Sequence, residues 1–329
     1  MKAVLCKSYG PPESLVLEDI PSPKPAAGQL LLELKACGVN FPDTLIIQGK
    51  YQFRPEPPFS PGGDVAGIVK EVGEGVTRYK MGDRVFGVVI YGGFAEEVLI
   101  DEKSCFPVPD GMDFVTAASF MLAYGTSYHA LKDRAKIQPG ETLLVLGASG
   151  GVGLTAVELG KMMGARVIAA ASTPEKLELC KQYGADEIIN YSSEDLKSRV
   201  KALTDGKGVD VVYDPVGGEY SEAALRTMAW KGRFLVVGFA AGDIPKIPLN
   251  LALLKGCEIV GVFFGDFMMK HEPGNGMKNS IELLQLFSEG KIKPHIHKKY
   301  PLANAPQALI DMTKRQVMGK AIIVMNEEG

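Results

Sequence analysis

Beyond residue 140, short apolar runs alternate with longer stretches whose apolar residues recur at helical spacing. Strands are expected at Thr142–Leu146, Ala165–Ala171, Glu187–Asn190, Val209–Tyr213, Arg233–Gly238 and Glu258–Val262. Between them the pattern predicts helices from Leu154 to Gly164, Pro174 to Tyr183, Ser193 to Thr204 and Glu219 to Trp230. Strand and helix in regular alternation imply an α/β fold built on a doubly wound parallel sheet. After about Phe264 the pattern gives helices near Met277–Glu289 and Ala303–Arg315, then a strand at Lys320–Met325.

The first 120 residues read differently. Strand-like runs at Lys2–Lys7, Leu15–Ile20 and Gln29–Val39 are separated by Tyr9-Gly-Pro-Pro12 and by Pro21, Pro23 and Pro25. From Pro61 to Val85, glycines at 62, 63, 67, 73, 75 and 82 break up short Val/Ile stretches. This part is expected to be a small, irregular, mainly-β barrel.

Where the two patterns meet stands Glu141-Thr-Leu-Leu-Val-Leu-Gly-Ala-Ser-Gly-Gly-Val-Gly153. A buried strand must turn here sharply into a helix, and the spacing Ala148-x-Gly150-x-x-Gly153 resembles a dinucleotide fingerprint with Ala in the first glycine place. Glycine lets backbone N–H groups approach a pyrophosphate, and the helix N-terminus adds unpaired donors and a partial positive charge. The other reading is a tight turn with no ligand. The strand at Ala165–Ala171 completes a βαβ unit of about thirty residues and favours nucleotide binding, at Ser149, Gly150, Gly151, Val152 and Gly153. The loops after two later strands, Asp214-Pro-Val-Gly-Gly218 and Val237-Gly-Phe-Ala240, lie where ligands of such sheets bind. They add Val216, Gly238 and Phe239, with Phe263 a further candidate beside the nicotinamide; for both phenylalanines a place in the core is the alternative.

Which nicotinamide cofactor is set at the end of the second strand. An NAD site places an acid there for the ribose 2′-hydroxyl, but this chain reads Ala171-Ser-Thr-Pro-Glu-Lys176. With Thr173 as N-cap and Pro174 at the first helical place, Lys176 falls in the first turn, where the dipole disfavours a cation. It is either a solvated lysine or the partner of a 2′-phosphate, and Glu175 is expected to point away. NADPH is the expected cofactor.

Bulk properties exclude several classes. A net charge of −3 and a pI near 5.9 offer no electrostatic footprint for nucleic acid. No apolar run approaches a membrane span, and Met1-Lys2-Ala3 leads into a strand pattern and not a signal peptide. Five scattered cysteines without a C-x-x-C pair suit reduced thiols in the cytoplasm.

Pro61-Gly-Gly-Asp-Val-Ala-Gly-Ile-Val-Lys-Glu-Val-Gly73 and Gly82-Asp-Arg-Val85 resemble the medium-chain dehydrogenase/reductase superfamily. Asn40-Phe-Pro-Asp43 and Tyr124-Gly-Thr-Ser127 narrow the resemblance to its zinc-independent quinone oxidoreductase branch, which includes zeta-crystallin. The resemblance covers the whole chain. It implies a GroES-like domain over 1–123, a Rossmann NADPH-binding domain over 124–264, and a return segment over 265–329 that completes the first domain. A cleft between the domains would take cofactor and substrate, and a homodimer is implied. Ser172, Tyr191 and Arg315 join Lys176 as implied 2′-phosphate partners.

Zinc-containing relatives carry a second Cys after Cys-Gly-x and a Gly-His-Glu after the Pro. This chain has Asn40 and Gly62-Gly-Asp64 at those places, and it lacks the four-cysteine lobe after Gly93. A zinc site needs three or four converging ligands, and His295 and His297 read as a solvated strand. No metal is expected. Without a Lewis acid, hydride transfer suits an acceptor that is already electron-poor, a quinone or a conjugated enone, held by hydrogen bonds to its carbonyl. Asn40 and Thr126 are the candidate donors and Tyr51 a candidate proton source, with Asp43 in the same turn-rich segment. Asn40 capping a turn with Asp43, and Tyr51 packing near Phe53, are the alternatives. Leu45 replaces a tyrosine of the family. An enoyl-thioester reductase using Tyr51, and a crystallin-like nucleotide- or RNA-binding protein, remain the other readings.

Overall fold

The computed structural model describes residues 1–325 and divides into two units: Met1–Leu122 with the chain from Pro294 onward, and Ala123–Lys293. In the first unit, β1 (Lys2–Leu5) pairs antiparallel with β2 (Val16–Asp19). The 11-residue β3 (Gln29–Val39) is buried over most of its length. After it come α1 (Phe41–Ile46), β4 (Asp64–Val72), β5 (Arg84–Val88), β6 (Glu97–Asp101), β7 (Cys105–Pro107) and α2 (Phe114–Ala117). α3 (Met121–Tyr128) leads into the second unit.

That unit alternates β8 (Thr142–Leu146), α4 (Gly151–Met162), β9 (Arg166–Ala171), α5 (Pro174–Gln182), β10 (Glu187–Asn190), α6 (Leu196–Leu203) and β11 (Val209–Asp214). It continues with α7 (Glu219–Leu225), β12 (Met228–Val236), α8 (Asn250–Lys255), β13 (Glu258–Gly261), the one-turn α9 (Phe264–Asp266) and α10 (Pro273–Ser288). The chain then returns to the first unit as β14 (Ile296–Pro301), α11 (Ala305–Thr313) and β15 (Lys320–Val324).

The second unit holds one parallel sheet in the order β10-β9-β8-β11-β12-β13. Numbered from β8, this is 3-2-1-4-5-6, the doubly wound dinucleotide-binding order, with its switch point between β8 and β11. Fully buried Leu144, Leu146, Ile168, Ala170, Val212 and Phe234 join the core of this unit, each of them but the alanine contributing about 1.5–3 kcal/mol. In the first unit seven strands form one sheet in the order β14-β15-β3-β4-β5-β7, with β6 on the other half of β3. β3 is thus paired along both edges, by β4 on one and by β6 and then β15 on the other.

Three expectations need correction. The helix expected over Glu219–Trp230 ends at Leu225, and Met228 already belongs to β12. Val209 N donates to Thr227 O at 3.0 Å and Met228 is buried, so pairing with β11 overrides the helical spacing. The chain rejoins the first unit at Pro294, not at 265. Polar contacts hold α10 in the second unit: Lys132 Nζ donates to Asn279 Oδ1 at 2.9 Å, Asn279 Nδ2 to Asp133 Oδ2 at 2.7 Å, and Tyr128 Oη to Glu282 at 2.9 Å. His295 and His297 are half-buried at the edge strand β14 and so only partly solvated, and burial lowers both their pKa values.

Candidate functional site

In the second unit the strand-to-helix turn is shaped by what its glycines admit. Gly147 has φ +56°, and a Cβ there would lie 2.7 Å from Val216 Cγ2, so Val216 packs directly on the turn. At Gly153 a Cβ would meet Gly147 O at 2.3 Å: α4 rests on the turn's own backbone. Gly150 is different. Its Cβ would find only Gly147 O, at 3.4 Å, leaving an open cradle at the N-cap of α4. Ser149 is buried beside it. A helix leaves its first N–H groups without intrahelical partners, here those of Gly151, Val152 and Gly153, which fits a pyrophosphate.

Asp214 ends β11 and organises the neighbouring loop. Its buried carboxylate accepts from Val216 N and Gly217 N at 2.9 Å and from Ser221 Oγ at 2.5 Å. Burial raises its pKa, and those three donors oppose the rise. Val237, Ala240 and Ala241 donate to the carbonyls of Asp214, Pro215 and Val216, binding the two loops into one body. Gly238 lies in the second loop, and half-buried Phe239 covers Gly217, whose Cβ would be 2.9 Å from its ring.

β9 ends without an acid. Thr173 caps α5, accepting from Lys176 N at 3.4 Å, and Pro174 takes the first position. Lys176 Nζ folds back to Ser172 Oγ at 3.4 Å. Glu175 turns instead to its own N–H and to the Thr173 hydroxyl, which hold its pKa low. Tyr191 packs on Tyr220 with ring centroids 4.4 Å apart. Phe263 is exposed just before α9. Thr126 is half-buried on α3, and its neighbour Ser127 donates to Val152 O at 2.8 Å. Arg315 belongs to the first unit, exposed after α11 with φ +58°.

In the first unit the end of β3 carries a buried polar cluster. Asn40 stands at the N-cap of α1, its N–H donating to Asp43 Oδ2 at 2.7 Å, so the capping reading holds. Its Nδ2 donates to Gly38 O at 3.2 Å. Asp43 and Asp64 are buried, and burial raises both carboxyls, Asp43 to about 7. Between them comes a residue that the sequence reading passed over. Lys320 is 4% exposed, and its Nζ donates to Asn40 Oδ1 at 2.5 Å, Val39 O at 3.3 Å and Asp64 Oδ2 at 3.3 Å. Its only signal in sequence is a lysine opening an apolar strand, which does not say what it meets. Cys37 is fully buried, and burial, with Asp43 and Asp64 nearby, puts its thiol pKa well above the usual range. A Cβ at Gly63 would lie 2.7 Å from Val89 O, so no larger side chain fits there unshifted. Tyr51 packs against the core, 6.2 Å from Phe53 between ring centroids. Among the described residues, no three His, Cys, Asp or Glu side chains form a metal-binding group.

Residues 26–110 match the alcohol dehydrogenase GroES-like domain and residues 151–283 the zinc-binding dehydrogenase domain. A quinone oxidoreductase-like protein 2 homolog from Nematostella vectensis is 40% identical over 326 residues, 98% of this chain and 88% of that protein. The chain belongs to the quinone oxidoreductase family of medium-chain dehydrogenases/reductases. Two solved relatives share its fold along its length. Escherichia coli quinone oxidoreductase complexed with NADPH is 31% identical with a TM-score of 0.93, covering 98% of this chain and 100% of that one. A mycobacterial protein complexed with NADPH is 32% identical with a TM-score of 0.92 at the same coverage. The family fold is thus a Rossmann sheet joined to a GroES-like, mainly-β domain, as expected from the sequence.

Proposed function

We propose that the chain is an NADPH-dependent reductase that passes hydride to a quinone or conjugated enone without zinc. The observation that carries this reading is the end of β9, where Lys176 folds back on Ser172 and no acid waits for a ribose 2′-hydroxyl. Gly150 to Gly153 would receive the pyrophosphate, and Ser172, Lys176 and Tyr191 the 2′-phosphate. When bound, NADPH supplies the hydride. Asn40 holds the acceptor's carbonyl and stabilises the charge that builds on its oxygen. Zinc-independence is supported by Asn40 in a ligand's place and by the Val89 carbonyl crowding Gly63.

Enoyl-thioester reduction is the second reading, favoured by half-buried Tyr51 as donor of the proton that such an acceptor takes on carbon. Purified protein would be assayed with NADPH against a quinone, an enone and an enoyl-CoA, before and after exhaustive chelation. Quinone turnover that survives chelation and is barely altered by Tyr51→Phe supports the first reading. Enoyl-CoA turnover slowed roughly 10²–10⁴-fold by Tyr51→Phe selects the second. One zinc per chain, lost together with activity, overturns both.

A homodimer is proposed from the edge strand β13 and the exposed Trp230, Leu253 and Leu254. Sedimentation would show a dimer that Leu253→Lys weakens. Five unpaired cysteines, four of them buried, fit a reducing compartment such as the cytoplasm.

A further inference from the structure

Beneath the glycine turn lies a cluster of three buried hydroxyls, from Ser127 on α3, Thr155 on α4 and Tyr213 on β11. Ser127 Oγ stands at its centre, 2.8 Å from Thr155 Oγ1, 2.9 Å from Tyr213 Oη and 2.8 Å from Val152 O. Thr155 Oγ1 also lies 3.0 Å from Val152 O, 3.2 Å from Ala123 O and 3.3 Å from Gly151 O.

The shortest contacts set the directions of the hydrogens. A carbonyl only accepts, so the Ser127 hydroxyl donates to Val152 O. Its oxygen is then left to accept, and the phenol and the threonine both donate to it. Among the described residues Tyr213 Oη has no other partner. Each donor in such a chain strengthens the next bond, and the chain ends on one carbonyl.

That carbonyl belongs to the first turn of α4. The first bond inside the helix runs from Leu154 N to Gly150 O at 2.8 Å, so the N–H groups of Gly151, Val152 and Gly153 have no intrahelical partner. A peptide group is planar, and gripping its carbonyl also fixes the direction of its N–H. Stability alone does not call for the cluster, because apolar groups of the same shape in place of both partners can be nearly neutral.

We propose that Ser127, Thr155 and Tyr213 are positioning residues for the dinucleotide: by holding the first turn of α4 to α3 and β11, they preset its N–H groups for the pyrophosphate. Such preorganisation adds affinity by cutting the ordering cost of binding. The proposal rests on the reading in which the glycine turn takes that pyrophosphate, and its test separates the two. Ser127→Ala with Tyr213→Phe removes donor and phenol together, so no buried hydroxyl loses its partner, and Thr155 can still turn to Gly151 O.

Kd would be measured for NADPH, NADH and adenosine 2′-phosphate in the full-length wild type, in this double variant and in Gly150→Ala, whose Cβ enters the open cradle. The double variant is expected to weaken NADPH and NADH by the same factor, roughly 3- to 10-fold, as for one ordinary hydrogen bond. Adenosine 2′-phosphate has no pyrophosphate and should bind as before. Unchanged NADPH affinity in the double variant, with Gly150→Ala impaired, overturns the role of the hydroxyls and leaves the turn as the pyrophosphate site. Equal weakening of all three ligands is general loosening and overturns it too. Unchanged NADPH affinity in Gly150→Ala overturns the underlying reading and the proposal with it.

Should the double variant not fold, Tyr213→Phe keeps the ring and carries the test. In ¹⁵N-labelled protein without cofactor, the amide nitrogen of Gly153 is expected to shift, because the Val152 carbonyl joined to it then holds a weaker hydrogen bond. Gly164, beyond the far end of α4, should stay. If Gly153 does not move, or moves no more than Gly164, the proposal is wrong.

Discussion

Lys176→Ala should make the protein slightly more stable and markedly worse at holding NADPH. Lys176 is the third residue of α5, where the partial positive charge of the helix N-terminus opposes a cation. Removing it relieves about 0.3–1 kcal/mol, which for a chain of this size raises Tm by roughly 1–3 °C. Binding moves the other way. With Nζ 3.4 Å from Ser172 Oγ, the ammonium is held at the strand end where a 2′-phosphate would lie. One charge-assisted hydrogen bond contributes about 1.5–3 kcal/mol, so the NADPH Kd should rise roughly 10- to 150-fold. NADH has no 2′-phosphate, and its Kd should stay put. Fluorescence titration with both cofactors, beside a thermal melt, reads all three numbers. Equal weakening for NADPH and NADH would place Lys176 elsewhere than the phosphate, and unchanged NADPH affinity would refute the argument outright.

Two glycines of the turn should separate packing from ligand approach. Gly153→Ala drives a Cβ to 2.3 Å from Gly147 O and should cost about 1–3 kcal/mol in a denaturant melt, less the helix-propensity gain of roughly 1 kcal/mol. Gly150→Ala meets open space and should change stability by about 1 kcal/mol or less while weakening NADPH; equal effects of the two on stability would contradict the geometry. Asp43 should make stability depend on pH. Its folded pKa of about 7 lies above the usual 3.8, so its contribution is fully present below pH 4 and is lost as pH rises through 7. The gap corresponds to roughly 4 kcal/mol. Urea melts of wild type and Asp43→Asn should diverge between those limits, and parallel curves would sink the assignment.

The sequence pattern located β3, β8 and β10 to the residue because each is an apolar run closed by turn chemistry on both sides. It failed where long-range pairing decides. Met228 to Trp230 follow a helix-like stretch, yet β11 draws them into the sheet. The helix expected near Met277 begins earlier, at Pro273, with proline where its missing N–H costs nothing. The glycine turn was legible because a contiguous motif carries its own geometry. Lys320 was not, because its partners lie far upstream and only strand register brings them to it.

That register ties the chemistry to the order of synthesis. Lys320 and Asn40 are 280 residues apart, and the second unit lies wholly between them in the chain. On the ribosome the glycine turn, β9 and β11 are all made before β15 exists. Every residue of the nucleotide unit is therefore synthesised while Asp43 and Asp64 still lack their cation. The polar cluster at the end of β3 is complete only when β15 has paired with it. Lys320, at the head of β15, is thus the last piece to reach the buried cluster at the end of β3.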